Sequence, residues 1–132
     1  MEIKIRTKNN KEIVDITDII QKKLEEERIE KGMCLLFLKH TTAVLTTADL
    51  DPGGTDLDYL EFFEKIIPKI NFRHPHNPSH MPSHLLSSLI GTSLTLPIEN
   101  HNLVLGTWQR IVLIEFDGPR EREIVVHFIS AK

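Results

Sequence analysis

Five of the seven histidines, His40, His74, His76, His80 and His84, form the pattern in this chain most able to do chemistry. Imidazole ligates metal ions and exchanges a proton near neutral pH, so cation binding and acid–base work are the two chemistries in view. Four of the five lie in R-H-P-H-N-P-S-H-M-P-S-H, residues 73–84, among three prolines that stiffen the backbone. The fifth, His40, ends an apolar run and opens the polar stretch H-T-T-A. Two plainer readings stand beside these: a solvated histidine loop, and a core-edge His40 bonded to a backbone carbonyl.

His80 and His84 are four residues apart, and on one helix they would share a face and could chelate one ion. Pro82 between them instead marks the first turn of a helix, which puts His84 on the helix and His80 on the approach. Free N–H groups and the positive dipole end of that turn favour a nearby anion such as phosphate, and a neutral, ligating imidazole at His84. The acids Asp49, Asp51, Asp56 and Asp58 are candidates for a ligand or for a general base near His40, Asp51 among them. Turn and cap chemistry is the competing account of D-L-D-P-G-G-T-D. In L-G-T-W-Q-R, Trp108 is placed to floor a pocket while Gln109 or an arginine holds a polar or phosphorylated group, or else Trp108 is a core plug. Gly53-Gly54 belongs to neither a Walker pattern nor G-x-G-x-x-G, and no serine sits in G-x-S-x-G.

The elements that must position these residues follow from hydrophobic period. Residues 2–7 alternate charged and apolar, which predicts a half-exposed strand; K-N-N-K then turns the chain into a short strand over 12–14. Asp15 or Thr17 caps a helix to about Ile29, with Ile16, Ile19, Ile20 and Leu24 on its apolar face. Strands follow at 33–39 and 44–47. A helix over 55–67 opens on a capping-box-like Thr55 and Asp58 and closes at Pro68. The proline-rich segment is expected to stay irregular until Ser83, where Leu85, Leu86, Leu89 and Ile90 recur at helical spacing up to Gly91. Strands at 93–98, 103–105, 110–116 and 123–129 complete an α+β domain with a mainly antiparallel sheet.

With 132 residues, 40% hydrophobic and 27% charged, the chain has the make-up of a single globular domain, residues 1–132. Its net charge of −3 and the interleaving of Lys and Arg with acids leave no basic stripe, which argues against nucleic acid. The lone Cys34, inside C-L-L-F-L, permits no disulfide within the chain and is expected to be a core residue. No stretch has signal-peptide or membrane-span character, so a cytoplasmic protein off the membrane is expected.

H-T-T-A, the acidic D-L-D-P, F-R-H, S-H-L-L-S-S-L-I-G, L-T-L-P-I-E-N, L-G-T-W-Q and E-F-D-G-P-R, in this order, resemble the YjbQ-like family. Its members are small proteins sometimes described as secondary thiamine-phosphate synthases, and the similarity runs from about Gly32 onward. The resemblance implies a β-sandwich-like core with about three helices, and a homotrimer with sites near subunit boundaries. It implies a divalent metal, zinc with magnesium as the alternative, held by His40, His74 and His84. His40, His84, Gln109 and Asp51 are then the catalytic candidates, and Trp108, Arg110 and Arg73, with Arg120, the candidates for holding a phosphorylated small ligand. Many relatives read G-N-A-D-A-H where this chain has S-H-M-P-S-H, so His80 and Pro82 stand in place of an Asn and an Asp. The implied reaction joins a pyrimidine pyrophosphate to a thiazole phosphate and releases pyrophosphate. Histidine ligation suits zinc better than the magnesium that escorts pyrophosphate, which leaves room for the synthase activity to be a side reaction. The alternative is a non-catalytic trimer that binds a small ligand at a histidine metal site.

Overall fold

A computed structural model describes residues 1–131. The strands are β1 (Glu2–Arg6), β2 (Glu12–Asp15), β3 (Gly32–Leu38), β4 (Ala43–Ala48), β5 (Ser93–Glu99), β6 (Asn102–Leu103), β7 (Arg110–Glu115) and β8 (Glu121–Ser130). The helices are α1 (Thr17–Glu27), α2 (Thr55–Lys65) and α3 (Met81–Ile90), with a short 3-10 turn over Pro78–His80. Every strand pairing is antiparallel. Five strands run in the order β1-β8-β3-β5-β6, and three in the order β2-β7-β4.

Alternation sets which face each strand buries. Ile3 and Ile5 of β1, Ile124 and Val126 of β8, and Cys34, Leu36 and Leu38 of β3 point inward from the larger sheet. They meet Leu45, Ile111 and Leu113 of the smaller sheet and Ile16, Ile20 and Leu24 from the start and body of α1 in one core. This is a sandwich, as expected. The opposite face of the smaller sheet, with Val44, Val112 and Ile114, is covered by Leu86 of α3 and by the half-buried Tyr59, Leu60 and Phe63 of α2. A one-residue slip of β7 would exchange these two apolar faces, and because both are buried its sequence, I-V-L-I, is apolar throughout.

Three local expectations are corrected. Helix α1 begins at Thr17, and Asp15 acts from outside it, accepting from the Thr17 N–H at 3.0 Å and its hydroxyl at 2.7 Å. Thr55 and Asp58 form no capping box: Gly54, at φ 108°, is the N-cap, so Thr55 already lies inside the first turn and no side chain caps the helix. Helix α3 starts two residues before Ser83, because Asn77 accepts from the N–H and hydroxyl of Ser79 and launches the 3-10 turn that runs into it. Pro82 fits the opening turn because its missing N–H has no helical partner there.

Cys34 is fully buried, and burial pushes its thiol up to about 12. Such a thiol is inert at neutral pH. Among the described residues no helix is long and apolar enough to cross a membrane.

Candidate functional site

The two ends of the smaller sheet carry different groups. At one end β3 passes into β4 through Lys39-His40-Thr41-Thr42, and β7 passes into β8 through the D-G-P-R turn of Asp117 to Arg120. The start of α3 lies over both. Between them is an open cavity of about 400 Å³ lined by His40, His80, His84, Asp117, Arg120 and Arg122, among others.

The floor of this site is a buried ion pair that the sequence reading missed. Arg122 is 1% exposed and Glu115 0%. Arg122 Nε donates to Glu115 Oε1 at 2.9 Å, and its Nη2 donates to Glu115 Oε2, to Thr42 Oγ1 at 2.9 Å and to the Thr42 carbonyl at 3.2 Å. Glu115 also accepts from the Thr7 hydroxyl at 2.8 Å and the Asp117 N–H at 3.1 Å. Burial would raise its carboxyl, but the bonds from Arg122, Thr7 and Asp117 outweigh that and hold it below the usual carboxylate value. One carboxylate therefore ties down the H-T-T turn, through Arg122, and the D-G-P-R turn directly. A signal for this was present: Arg122 is in phase with the inward Ile124 and Val126, an arrangement that puts a charge on the core side of a strand.

His40 is half-buried, and the Glu123 N–H donates to its Nε2 at 2.9 Å. That bond requires a neutral ring with the proton on Nδ1. Burial first, and then the charge of Arg122, hold its pKa below the ordinary 6.5, against the opposing pull of Glu123 and Glu115. On acidification the unfolded chain therefore takes up this proton before the folded one. The His40 contribution to stability is present above pH 6.5 and is lost as pH falls through the lower folded value. An NMR titration of the His40 ring protons should give a midpoint under 6.5; a midpoint at or above it contradicts this environment.

His84 is oriented differently. Its Nδ1 lies 3.0 Å from the Thr41 carbonyl, which only accepts, so Nδ1 carries the proton and Nε2 keeps its lone pair. A backbone carbonyl behind an imidazole fixes the tautomer and orientation in both general bases and metal ligands. His74 lies nearly parallel to His84, with centroids 5.0 Å apart and an angle of 17°. The Asn77 N–H donates to His74 Nδ1 at 3.4 Å, and His76 meets His74 at 6.3 Å. His80 Nδ1 is 3.9 Å from Asp117 Oδ2.

The expected metal set does not fit this arrangement. His40 spends its lone pair on a backbone N–H, and stacked rings cannot aim in-plane lone pairs at one point between them. Among the described residues no three His, Cys, Asp or Glu side chains are placed to hold an ion. His84 alone of the expected trio offers an unengaged lone pair.

Asp51, Trp108, Gln109 and Arg110 lie at the other end of the smaller sheet. Ala43 pairs with Glu115 at the histidine end and Ala48 with Arg110 at the far end, about 17 Å away at ~3.4 Å per residue. There Gln109 Oε1 accepts from the Gly106 N–H at 2.8 Å, closing the turn that leaves Trp108 68% exposed, so Trp108 plugs no core. Arg110 is engaged by Asp15 at 2.7 Å and Asp18 at 3.3 Å. The Asp51 N–H donates to Asp49 Oδ1 at 3.1 Å, which is turn chemistry. Arg73 is exposed and does not line the histidine cavity. Within one chain these residues do not join His40 and His84.

The family profile described as "UPF0047 protein YjbQ-like" matches residues 1–131. A UPF0047 protein of Archaeoglobus fulgidus is 39% identical over 127 residues, covering 96% of this chain and 98% of its own. UPF0047 protein YugU of Bacillus subtilis is 35% identical over 128 residues, 97% of each chain. Among solved structures, an uncharacterised protein of Clostridium acetobutylicum, described as an orthologue of YugU, superposes with a TM-score of 0.88 at 37% identity, over 98% of this chain and 99% of that one. A Sulfolobus solfataricus protein described as YbjQ-like and of unknown function gives 0.91 at 32% identity, over 99% and 96%. Similarity of this extent, in sequence and in backbone, makes the chain a member of the YjbQ/UPF0047 family.

Proposed function

We propose that the cavity between the H-T-T turn and α3 binds a phosphorylated small molecule and that His84 exchanges a proton with it. The observation that carries this reading is His84 itself: its Nδ1–H is fixed on the Thr41 carbonyl while the ring lines a cavity that Arg120 and Arg122 also line. Cationic groups around a phosphorylated ligand stabilise charge that develops on its oxygens, and a positioned imidazole supplies the proton transfer. His40, neutral and with its proton on Nδ1, is a donor in this scheme, and no step runs through a metal.

The synthase reaction implied by the resemblance is the specific form of this proposal. The thiazole ring nitrogen bonds to the methylene carbon of the pyrimidine pyrophosphate, the carbon–oxygen bond breaks, and its electron pair leaves on pyrophosphate. The ring nitrogen releases no proton, so the proton His84 exchanges at Nε2 is the one that goes to this leaving group. Arg120 is the cation placed for that leaving group. The proposal also includes a homotrimer in a reducing, cytoplasmic compartment. Met33, Phe37 and Ile129, 43–48% exposed on the outer face of the larger sheet, offer an apolar patch for association to cover, and the buried thiol of Cys34 needs no oxidising environment.

The test measures thiamine phosphate formation, and thermal stabilisation by graded pyrophosphate, for the wild type and for His84→Ala. Loss of roughly 10²–10⁴-fold in turnover with stabilisation retained is expected if His84 is the acid–base group. Stabilisation without turnover in the wild type moves the protein to the non-catalytic, ligand-binding reading. Neither effect in the wild type overturns the phosphorylated-ligand proposal. Light scattering on the same sample reads the mass of three chains if the trimer forms, and metal analysis of it shows whether neighbouring copies supply ligands that one chain does not bring together.

A further inference from the structure

Arg122 has more hydrogen-bonding capacity than the fold uses. A guanidinium carries five N–H donors on three nitrogens. Nε is engaged by Glu115, and Nη2 by Glu115 and Thr42. Nη1 has no protein partner among the described residues. No buried side-chain nitrogen or oxygen among them lacks a partner, so Nη1 keeps some accessible surface, and Arg122 is one of the residues that line the histidine cavity. A side chain that is 1% exposed therefore keeps an unspent pair of N–H donors while lining a cavity that a second guanidinium, Arg120, also lines.

We propose that Arg122 is the anion anchor of this site, with Nη1 donating to a phosphoryl oxygen of the ligand. The inference rests on the phosphorylated-ligand reading above and adds the residue that recognises the phosphoryl group. Glu115 and Thr42 hold the fork on two sides, so little side-chain entropy is lost when an anion arrives. Arg120 stands on the neighbouring turn, where its Nε donates to the Asp117 carbonyl at 2.8 Å and its Nη2 to Asp117 Oδ2 at 3.0 Å. Its backbone N–H donates to the Thr7 hydroxyl at 2.9 Å, so this turn is fixed as well. Two guanidinium groups two residues apart, one at the end of the turn and one at the start of β8, suit the several oxygens of a phosphoryl group better than the two of a carboxylate. The nearby Lys39 is engaged at 2.9 Å by Glu2 and at 3.2 Å by Glu123, so it is less available than Arg122 Nη1. A guanidinium whose only task was to neutralise Glu115 would gain nothing from facing a cavity.

The experiment titrates inorganic phosphate, pyrophosphate and acetate into the wild type, Arg122→Lys and the double variant Glu115→Leu/Arg122→Met. Isothermal calorimetry reads affinity and circular dichroism melts read folding. The double variant is included because exchanging a buried ion pair for apolar residues of similar volume is often neutral or stabilising, which separates loss of binding from loss of fold. Phosphate and pyrophosphate should bind the wild type and shift the Arg122 side-chain nitrogen resonances. Both folded variants should bind them roughly ten- to a hundredfold more weakly, as expected for loss of hydrogen bonds to a charged partner. Wild-type affinity in both folded variants overturns the Arg122 assignment while leaving the phosphorylated-ligand reading on Arg120 and His84. Equal affinity for acetate overturns the phosphoryl selectivity. A wild type that binds neither phosphate nor pyrophosphate overturns that reading and this inference together.

Discussion

Glu115→Ala is expected to cost about 3–5 kcal/mol of folding stability, the scale of leaving one member of a buried ion pair without its partner. The side chain is fully buried, and its removal leaves the Arg122 charge without its counter-ion and Arg122 Nε and the Asp117 N–H without an acceptor, while the Thr7 hydroxyl keeps the Arg120 carbonyl at 2.9 Å. Urea unfolding followed by circular dichroism reads the loss. The pH dependence adds an independent check. The folded pKa of Glu115 lies below the ordinary value of 4.5, so its contribution is complete above pH 4.5 and disappears as pH falls through the folded value. The wild type should lose stability over that acid window more steeply than Glu115→Ala. Equal stability at neutral pH, or parallel acid limbs, would show that the pair is not what holds the two turns.

Gly118→Ala should damage both fold and site. A Cβ on this residue would sit 2.5 Å from the Asn9 carbonyl oxygen, 2.8 Å from Glu115 Cγ and 2.9 Å from Thr7 Oγ1. Two of these three are parts of the network just described, and the other is backbone. The turn cannot simply back away, because the Gly118 N–H donates to the Asn10 carbonyl at 2.9 Å and Asn10 Nδ2 donates to the Gly118 carbonyl at 3.1 Å. Overpacking of this kind typically costs about 1–3 kcal/mol. The displaced turn carries Asp117 and Arg120, so phosphate affinity should fall alongside stability. A variant that matches the wild type in urea and in phosphate titration would mean that the turn yields freely.

Periodicity carried most of the architecture. Alternation in E-I-K-I-R and the unbroken apolar run of C-L-L-F-L predicted strands that the fold contains, and the apolar face of α1 lies where its spacing places it. Those signals are local: whether a residue faces core or solvent depends on its neighbours two, three or four positions away. Helix starts were read less well, since Gly54 and Asn77 begin their helices through backbone conformation and short-range bonds that an apolar pattern does not encode.

The candidate site divides in the same way. Residue types announced a histidine cavity, and His40 and His84 do line it together with Arg120. The direction of each lone pair depended on Glu123 and Thr41, which lie 83 and 43 positions away in the chain, so no local spacing could disclose it. Distance along the strand separated Trp108, Gln109 and Arg110 from that cavity, although the resemblance had grouped Gln109 with His40 and His84. Composition and period were enough for fold class, element order and the imidazole-rich region, because these follow from the chain's own neighbours. The Arg122–Glu115 floor and the tautomers of His40 and His84 required the fold, because burial and hydrogen bonding across the sheets set them.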